Sequence, residues 1–105
     1  DQVDDAKEEL EKQKQKILAD AQKQADKVKS EAKNNADALR AEADKQGKEL
    51  IKQAGSNPLK KKVAERSAKK LNDEAEVKAL KLEAEGDKKA DDIMAKARAK
   101  ANKLG

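Results

Sequence analysis

Cysteine, histidine, threonine and all three aromatic residues are absent from this chain of 105 residues. Each absence closes something off. Without cysteine there is no disulfide framework, and no redox compartment is indicated. Without cysteine and histidine, the commonest soft metal ligands and the commonest general base are missing. Without Phe, Trp or Tyr there is no platform on which nucleic-acid bases could stack. Apolar residues make up only 35%, and most of them are alanine, so a compact globular core is not expected. No run approaches the roughly 18 uninterrupted apolar residues that a membrane span needs. Proline occurs once, at Pro58, and glycine four times, at Gly47, Gly55, Gly86 and Gly105.

What is present is charge and alanine. Charged residues reach 46%, a composition that ordinarily describes a disordered chain. The order of the residues argues otherwise. Ile17, Val28, Leu39 and Leu50 recur at every eleventh position. Ala21, Ala32, Ala43 and Ala54 follow each by four, and Ala25, Ala36 and Gly47 by eight. The second half repeats the cycle with Leu71, Leu82, Ile93 and Leu104 as large positions. Ala75, Gly86 and Ala97 come next, then Ala79, Ala90 and Ala101. An eleven-residue repeat is about 3.67 residues per turn, which keeps a stripe nearly straight along a helix and favours a weak right-handed supercoil. A strand would need alternation with period two, and none is sustained. Ala, Lys, Glu, Gln and Leu dominate, and all are good helix formers.

The first eleven residues are acidic, with Asp1, Asp4, Asp5, Glu8, Glu9 and Glu11 against Lys7. Negative charge there complements a helix N-terminus. Lys14 breaks the cycle where an apolar residue is due, and its stem can lie along the seam with its charge in water. The clearest punctuation is Gly55-Ser56-Asn57-Pro58. Gly55 suits the residue after a helix end, Asn57 an N-cap, and Pro58 a first helical position. The expected organisation is one hairpin over 1–105, with helix 1 at 1–54, a turn at 55–58 and helix 2 at 58–104. Two helices joined by so short a turn pack antiparallel. If facing residue numbers sum to about 114, Leu39 meets Ala75 and Ala32 meets Leu82, so large faces small almost throughout, while Ala36 meets Ala79. The fold class is therefore all-α, a long antiparallel two-helix hairpin, an Ala-rich hendecad coiled coil able to self-associate. Its arms would run roughly 70–80 Å at 1.5 Å per residue. Gly47 and Gly86 inside the helices mark either close approach across the seam or hinges, with Glu85-Gly86-Asp87 the better hinge.

The catalytic repertoire is thin. Gly55-Ser56 lies in a turn without a phosphate-loop pattern. Asp4-Asp5 and Asp91-Asp92 are adjacent helical residues whose side chains diverge, so they do not make a metal site. No cofactor, metal or small-molecule substrate is expected, and the chain reads as a protein that is not an enzyme. The feature with a binding chemistry is basic. Lys45, Lys48, Lys52, Lys60, Lys61, Lys62, Arg66, Lys69 and Lys70 crowd the turn end of the hairpin, and within that stretch only Glu49 and Glu65 oppose them. The partner-binding candidates are Lys48, Lys52, Lys60, Lys61, Lys62, Arg66, Lys69 and Lys70, whose partner would be an anionic surface, lipid or nucleic acid. The bland alternative is a solvated charged tip. Leu18, Ile51, Val63, Val77, Leu80 and Met94 lie off the main stripe. A rod with so slender a seam is marginal alone, and a homo-oligomer or a helical protein partner would cover them.

On these repeats, from Ala6 to Leu104, the chain resembles two groups. One is the right-handed coiled coils of rotary-ATPase peripheral stalk subunits. The other is the Ala/Lys/Glu eleven-residue repeats of group 3 late-embryogenesis-abundant proteins. These residues hold no counterpart of the globular end domain of the stalk subunits. Their charged positions do not follow the desiccation-protein consensus, which often uses threonine. The resemblance implies a helical protein and assigns no functional residue. Three functions follow as expectations. The first is a structural or interaction protein, a coiled-coil spacer, scaffold or assembly element. The second is an anionic-surface-binding module working through the basic tip. The third is a stress protectant that folds on dehydration or binding. A chain that starts at Asp1 fits a processed form, so a soluble, extracytoplasmic protein, periplasmic or secreted, is expected.

Overall fold

A computed structural model describes all 105 residues. It contains two helices and no strand: α1 over Gln2–Ala54 and α2 over Pro58–Lys103. The fold is all-α, an antiparallel two-helix hairpin. Contacts divide it into two compact units. One comprises 31–85, including the turn, and the other 1–30 with 86–105.

The helix ends follow from local chemistry. The Asp1 carboxylate accepts hydrogen bonds from the Val3 and Asp4 amides at 2.7 and 3.1 Å, which makes Asp1 an N-cap. Helix α1 therefore begins one residue after the expected start. At its other end Gly55 has φ +66°, a left-handed conformation that other residues adopt only at a cost. The Gly55 amide donates to the Lys52 carbonyl at 3.2 Å and satisfies one of the terminal acceptors. Asn57 caps α2, its side-chain oxygen accepting from the Leu59 and Lys60 amides at 3.0 and 3.1 Å. Pro58 then occupies the first helical position, where its missing N–H costs nothing. Helix α2 stops at Lys103 rather than 104. There the Leu104 amide tightens back onto the Ala101 carbonyl at 3.2 Å.

Every buried residue is alanine or glycine. Ala36 and Ala79 are completely buried, Ala90 and Ala25 nearly so. Ala25, Ala36 and Gly47 on α1, and Ala68, Ala79, Ala90 and Ala101 on α2, are spaced eleven apart and all are buried. The large residues of the stripe, such as Leu39, Leu71, Leu82 and Ile93, are half-buried beside them. Alanine has one methyl to bury, so each contributes little alone. Its merit is that two backbones can come close enough for many weak dispersion contacts to add.

The register can be read within each unit. In the unit of 31–85, a methyl placed on Gly47 would stand 3.0 Å from the Ala68 Cβ and 3.4 Å from its Cα. These numbers sum to 115, close to the expected 114. Gly47 is therefore a close-approach glycine. In the other unit, a methyl on Gly105 would stand 3.8 Å from Leu10. The Lys14 ammonium donates to the Gly105 carbonyl at 3.3 Å, its charge at the open edge of the seam as expected for a stem lying along it. Lys96, Arg98, Lys100 and Lys103 near the C-terminus make no ion pair with the acids of the first eleven residues. Among these basic residues only Lys96 is paired, with Asp92 of its own helix at 2.9 Å. Residues on solvent faces find partners one turn along more readily than across the seam.

Two substitutions test this packing. Ala36→Leu should overpack the seam and destabilise by about 1–3 kcal/mol in chemical denaturation. Ala19→Leu, on an exposed position, should leave the midpoint unchanged. Gly47→Ala should lower the melting temperature even though alanine is the better helix former by about 1 kcal/mol. Adding Ala68→Gly in the same chain should recover most of the loss.

Candidate functional site

The eight basic candidates do not form one equivalent group. All are exposed. Lys48 bonds Asp44 at 2.8 Å, and this hydrogen bond raises its pKa above the ordinary lysine value. Lys69 bonds Asp73 at 2.9 Å. Both carboxylates lie just outside the basic stretch, one helical turn from their partners, which is why a count confined to that stretch misses them. Lys52, Lys60, Lys61, Lys62, Arg66 and Lys70 make no ion pair. Of these, Lys52 and Lys60–Lys62 flank the turn, while Arg66 and Lys70 lie farther along α2.

Beside the turn the two helices leave an open groove of about 450 Å³, lined by Leu50, Gln53, Ala54, Leu59, Lys60, Val63, Ala64 and Ser67. Leu59 is the most exposed large apolar residue in the protein, at 74% of its surface. The eleven-residue repeat does not single it out, because it falls off the stripe next to the capping turn. Its exposure follows from that position. Leu18, Ile51 and Met94, also off the stripe, are half-buried along the flanks of the seam. Val63, Val77 and Leu80 are exposed, at 57%, 59% and 55%.

The one polar cluster that joins the helices was not visible in the repeats. Arg40 of α1, half-buried, grips Glu76 of α2 through two nitrogens, Nε at 2.8 Å and Nη2 at 3.1 Å. Nη2 also bonds Glu83, and Nη1 bonds Asp37 of its own helix at 2.9 Å. Every other ion pair lies within a single helix. A bidentate guanidinium–carboxylate pair fixes geometry as well as charge, which a lysine would not do. The hydrogen bond from Arg40 is the main cause holding the Glu76 carboxyl below its ordinary pKa. The separate hydrogen bond from Arg40 Nη1, with help from Lys33, lowers Asp37. Their bonds in turn raise Arg40, Glu76 contributing most.

Chemically the cluster is a clamp held by four hydrogen bonds from one guanidinium. All three guanidinium nitrogens are engaged, and Asp37 and Glu76 are held ionised. No group of three or more acidic side chains converges where a metal ion could sit. No helix is long and apolar enough to cross a membrane. No family model matches the chain, and neither the curated proteins nor the solved structures offer a match.

The clamp has a definite pH signature. Native pKa values of Glu76 and Asp37 are depressed, so the stability they contribute is complete above the ordinary carboxylate values. It is lost as pH falls through the depressed native values. Thermal melts of the protein and of Arg40→Gln should therefore differ most at neutral pH. The difference should close as pH falls below the ordinary carboxylate range and through the depressed native values. At pH 7, raising the salt from about 0.1 to 1 M should narrow it only in part, because Arg40 and Glu83 are half-buried although Glu76 and Asp37 are exposed.

Proposed function

We propose that this chain is a non-enzymatic structural protein, an alanine-rich hendecad hairpin that serves as a spacer or assembly element. The observation that carries the reading is the distribution of size across the molecule. Small residues occupy every buried position, while the larger apolar side chains stand half-exposed or exposed. Such a core holds two helices together and leaves surface for association. The grooves along it are open to solvent rather than chambers that would desolvate a substrate. The ionisable groups are on solvent faces or locked in the Arg40 clamp.

Circular dichroism in dilute buffer tests this against the protectant alternative. A spacer should show a strong helical signal at micromolar concentration and lose it in a reversible thermal transition. A coil spectrum that becomes helical only on drying or in trifluoroethanol would transfer the protein to the protectants.

A second reading is favoured by one specific arrangement, the lysines without ion pairs beside the exposed Leu59. Lys60, Lys61 and Lys62 with Leu59 combine charge and an apolar anchor, a pairing suited to an anionic bilayer surface. Cosedimentation with vesicles containing phosphatidylserine should then exceed that with phosphatidylcholine alone and fall with salt. Changing the three lysines to Gln should abolish it while leaving helicity intact. Binding unaltered by that change would exclude the tip.

A further inference from the structure

We propose that the outer face of α2 between Leu59 and Leu80 is a self-association surface, on which a second copy of this chain docks antiparallel about a two-fold axis near Lys70. The inference deepens the assembly reading and rests on it.

The face is defined by exposure and helix geometry. Apart from Val3 and Leu10 near the N-terminus, the exposed large apolar residues of the protein are Leu59, Val63, Val77 and Leu80. All four lie in the unit of 31–85. At about 100° per residue they fall within roughly 100° of arc, the width of the apolar face of an amphipathic helix. That arc lies opposite the one holding Ala68, Leu71, Ala75 and Ala79. So α2 is apolar on two sides here, and α1 covers one of them.

The spacing identifies the occupant. Two apolar pairs, Leu59 with Val63 and Val77 with Leu80, flank Lys70 almost symmetrically: Val63 and Val77 lie seven residues either side, Leu59 eleven before and Leu80 ten after. A two-fold interface requires that if residue i meets residue j, then j meets i. An antiparallel second copy placed so that facing numbers sum to about 140 satisfies this. Val63 then faces Val77 of the other copy and Leu59 faces Leu80, each contact occurring twice. A parallel copy would set Leu59 and Val63 against themselves and would align like charges throughout.

Charge between the apolar pairs agrees. The centre of the face runs basic then acidic along the chain, from Arg66, Lys69 and Lys70 to Asp73 and Glu74. Reversing one copy lays Arg66 between Asp73 and Glu74 of the other. Arg66, Lys70 and Glu74 make no ion pair in the single chain and are available. Asp73 is held only by the exposed Lys69 one turn away, a contact that solvent already competes for. Lys70 would meet its own copy on the axis. That repulsion is relieved by the partner's acids about one turn away and keeps the association weak rather than permanent.

Sedimentation equilibrium from about 1 µM to about 1 mM reads the association directly. The protein should pass reversibly from monomer to dimer. Arg66→Glu should weaken the dimer at least tenfold, and so should Asp73→Lys combined with Glu74→Lys. An equimolar mixture of those two variants should restore it, because each then presents the charge the other lacks. Circular dichroism should show that both variants keep the helical signal of the parent chain. Lys70→Cys should form a disulfide-linked dimer at least tenfold faster than Lys27→Cys, since only position 70 meets itself. A monomer across the whole range would overturn the proposal, leaving the face to a different protein. Association indifferent to the charge reversals, or equal cross-linking at both cysteines, would overturn it as well. None of these failures touches the helical signal that tests the spacer reading.

Discussion

Close approach between two helix backbones governs this protein. Packing at such a distance is possible only where facing residues carry at most one methyl group. Gly47 against Ala68 marks the limit, because a single added carbon would already be in tight contact. From that constraint follow the alanine or glycine at every buried position and the half-burial of the large stripe residues beside it. Each alanine contributes little burial. Stability has to come from repetition along two long helices, a way of reaching a cooperative fold without a conventional core.

A seam of alanines specifies direction and register only weakly, since one methyl resembles the next. Sliding the helices by one repeat would set alanine against alanine again. Two features remove that freedom. The turn at Gly55–Pro58 fixes which residues start out opposite each other. Farther along the unit of 31–85, Arg40 binds Glu76 in bidentate fashion and also reaches Glu83. A slipped register would leave a half-buried guanidinium without its carboxylates. That gives the clamp a part in selecting one arrangement, beyond whatever it adds to stability.

The same economy shapes the surface. A helix whose buried stripe is mostly alanine has most of its larger apolar side chains elsewhere. On α2 they gather in two pairs on the side away from α1, with a basic and an acidic block between. On α1 the off-stripe residues Leu18 and Ile51 are half-buried against the seam. The two helices are therefore unequal. The hairpin has one face of α2 with exposed apolar pairs and, at the turn, a basic end with an exposed leucine.

The sequence by itself determined the helices, the turn and the identity of the seam. Each of these is a local or periodic property. Gly55, Asn57 and Pro58 act on backbone within a few residues of themselves. An eleven-residue repeat assigns a face without knowledge of the partner helix. Asp1 as an N-cap was legible in the same way, though the run of acids around it drew attention to charge instead. Only the tertiary structure decided the Arg40 clamp, the neutralisation of Lys48 and Lys69 but not their neighbours, and the degree to which Leu59 stands clear. An ion pair between helices depends on register, azimuth and side-chain rotamer together, and no periodicity encodes all three. Among many chemically equivalent lysines and carboxylates, pairing is settled by reach in three dimensions.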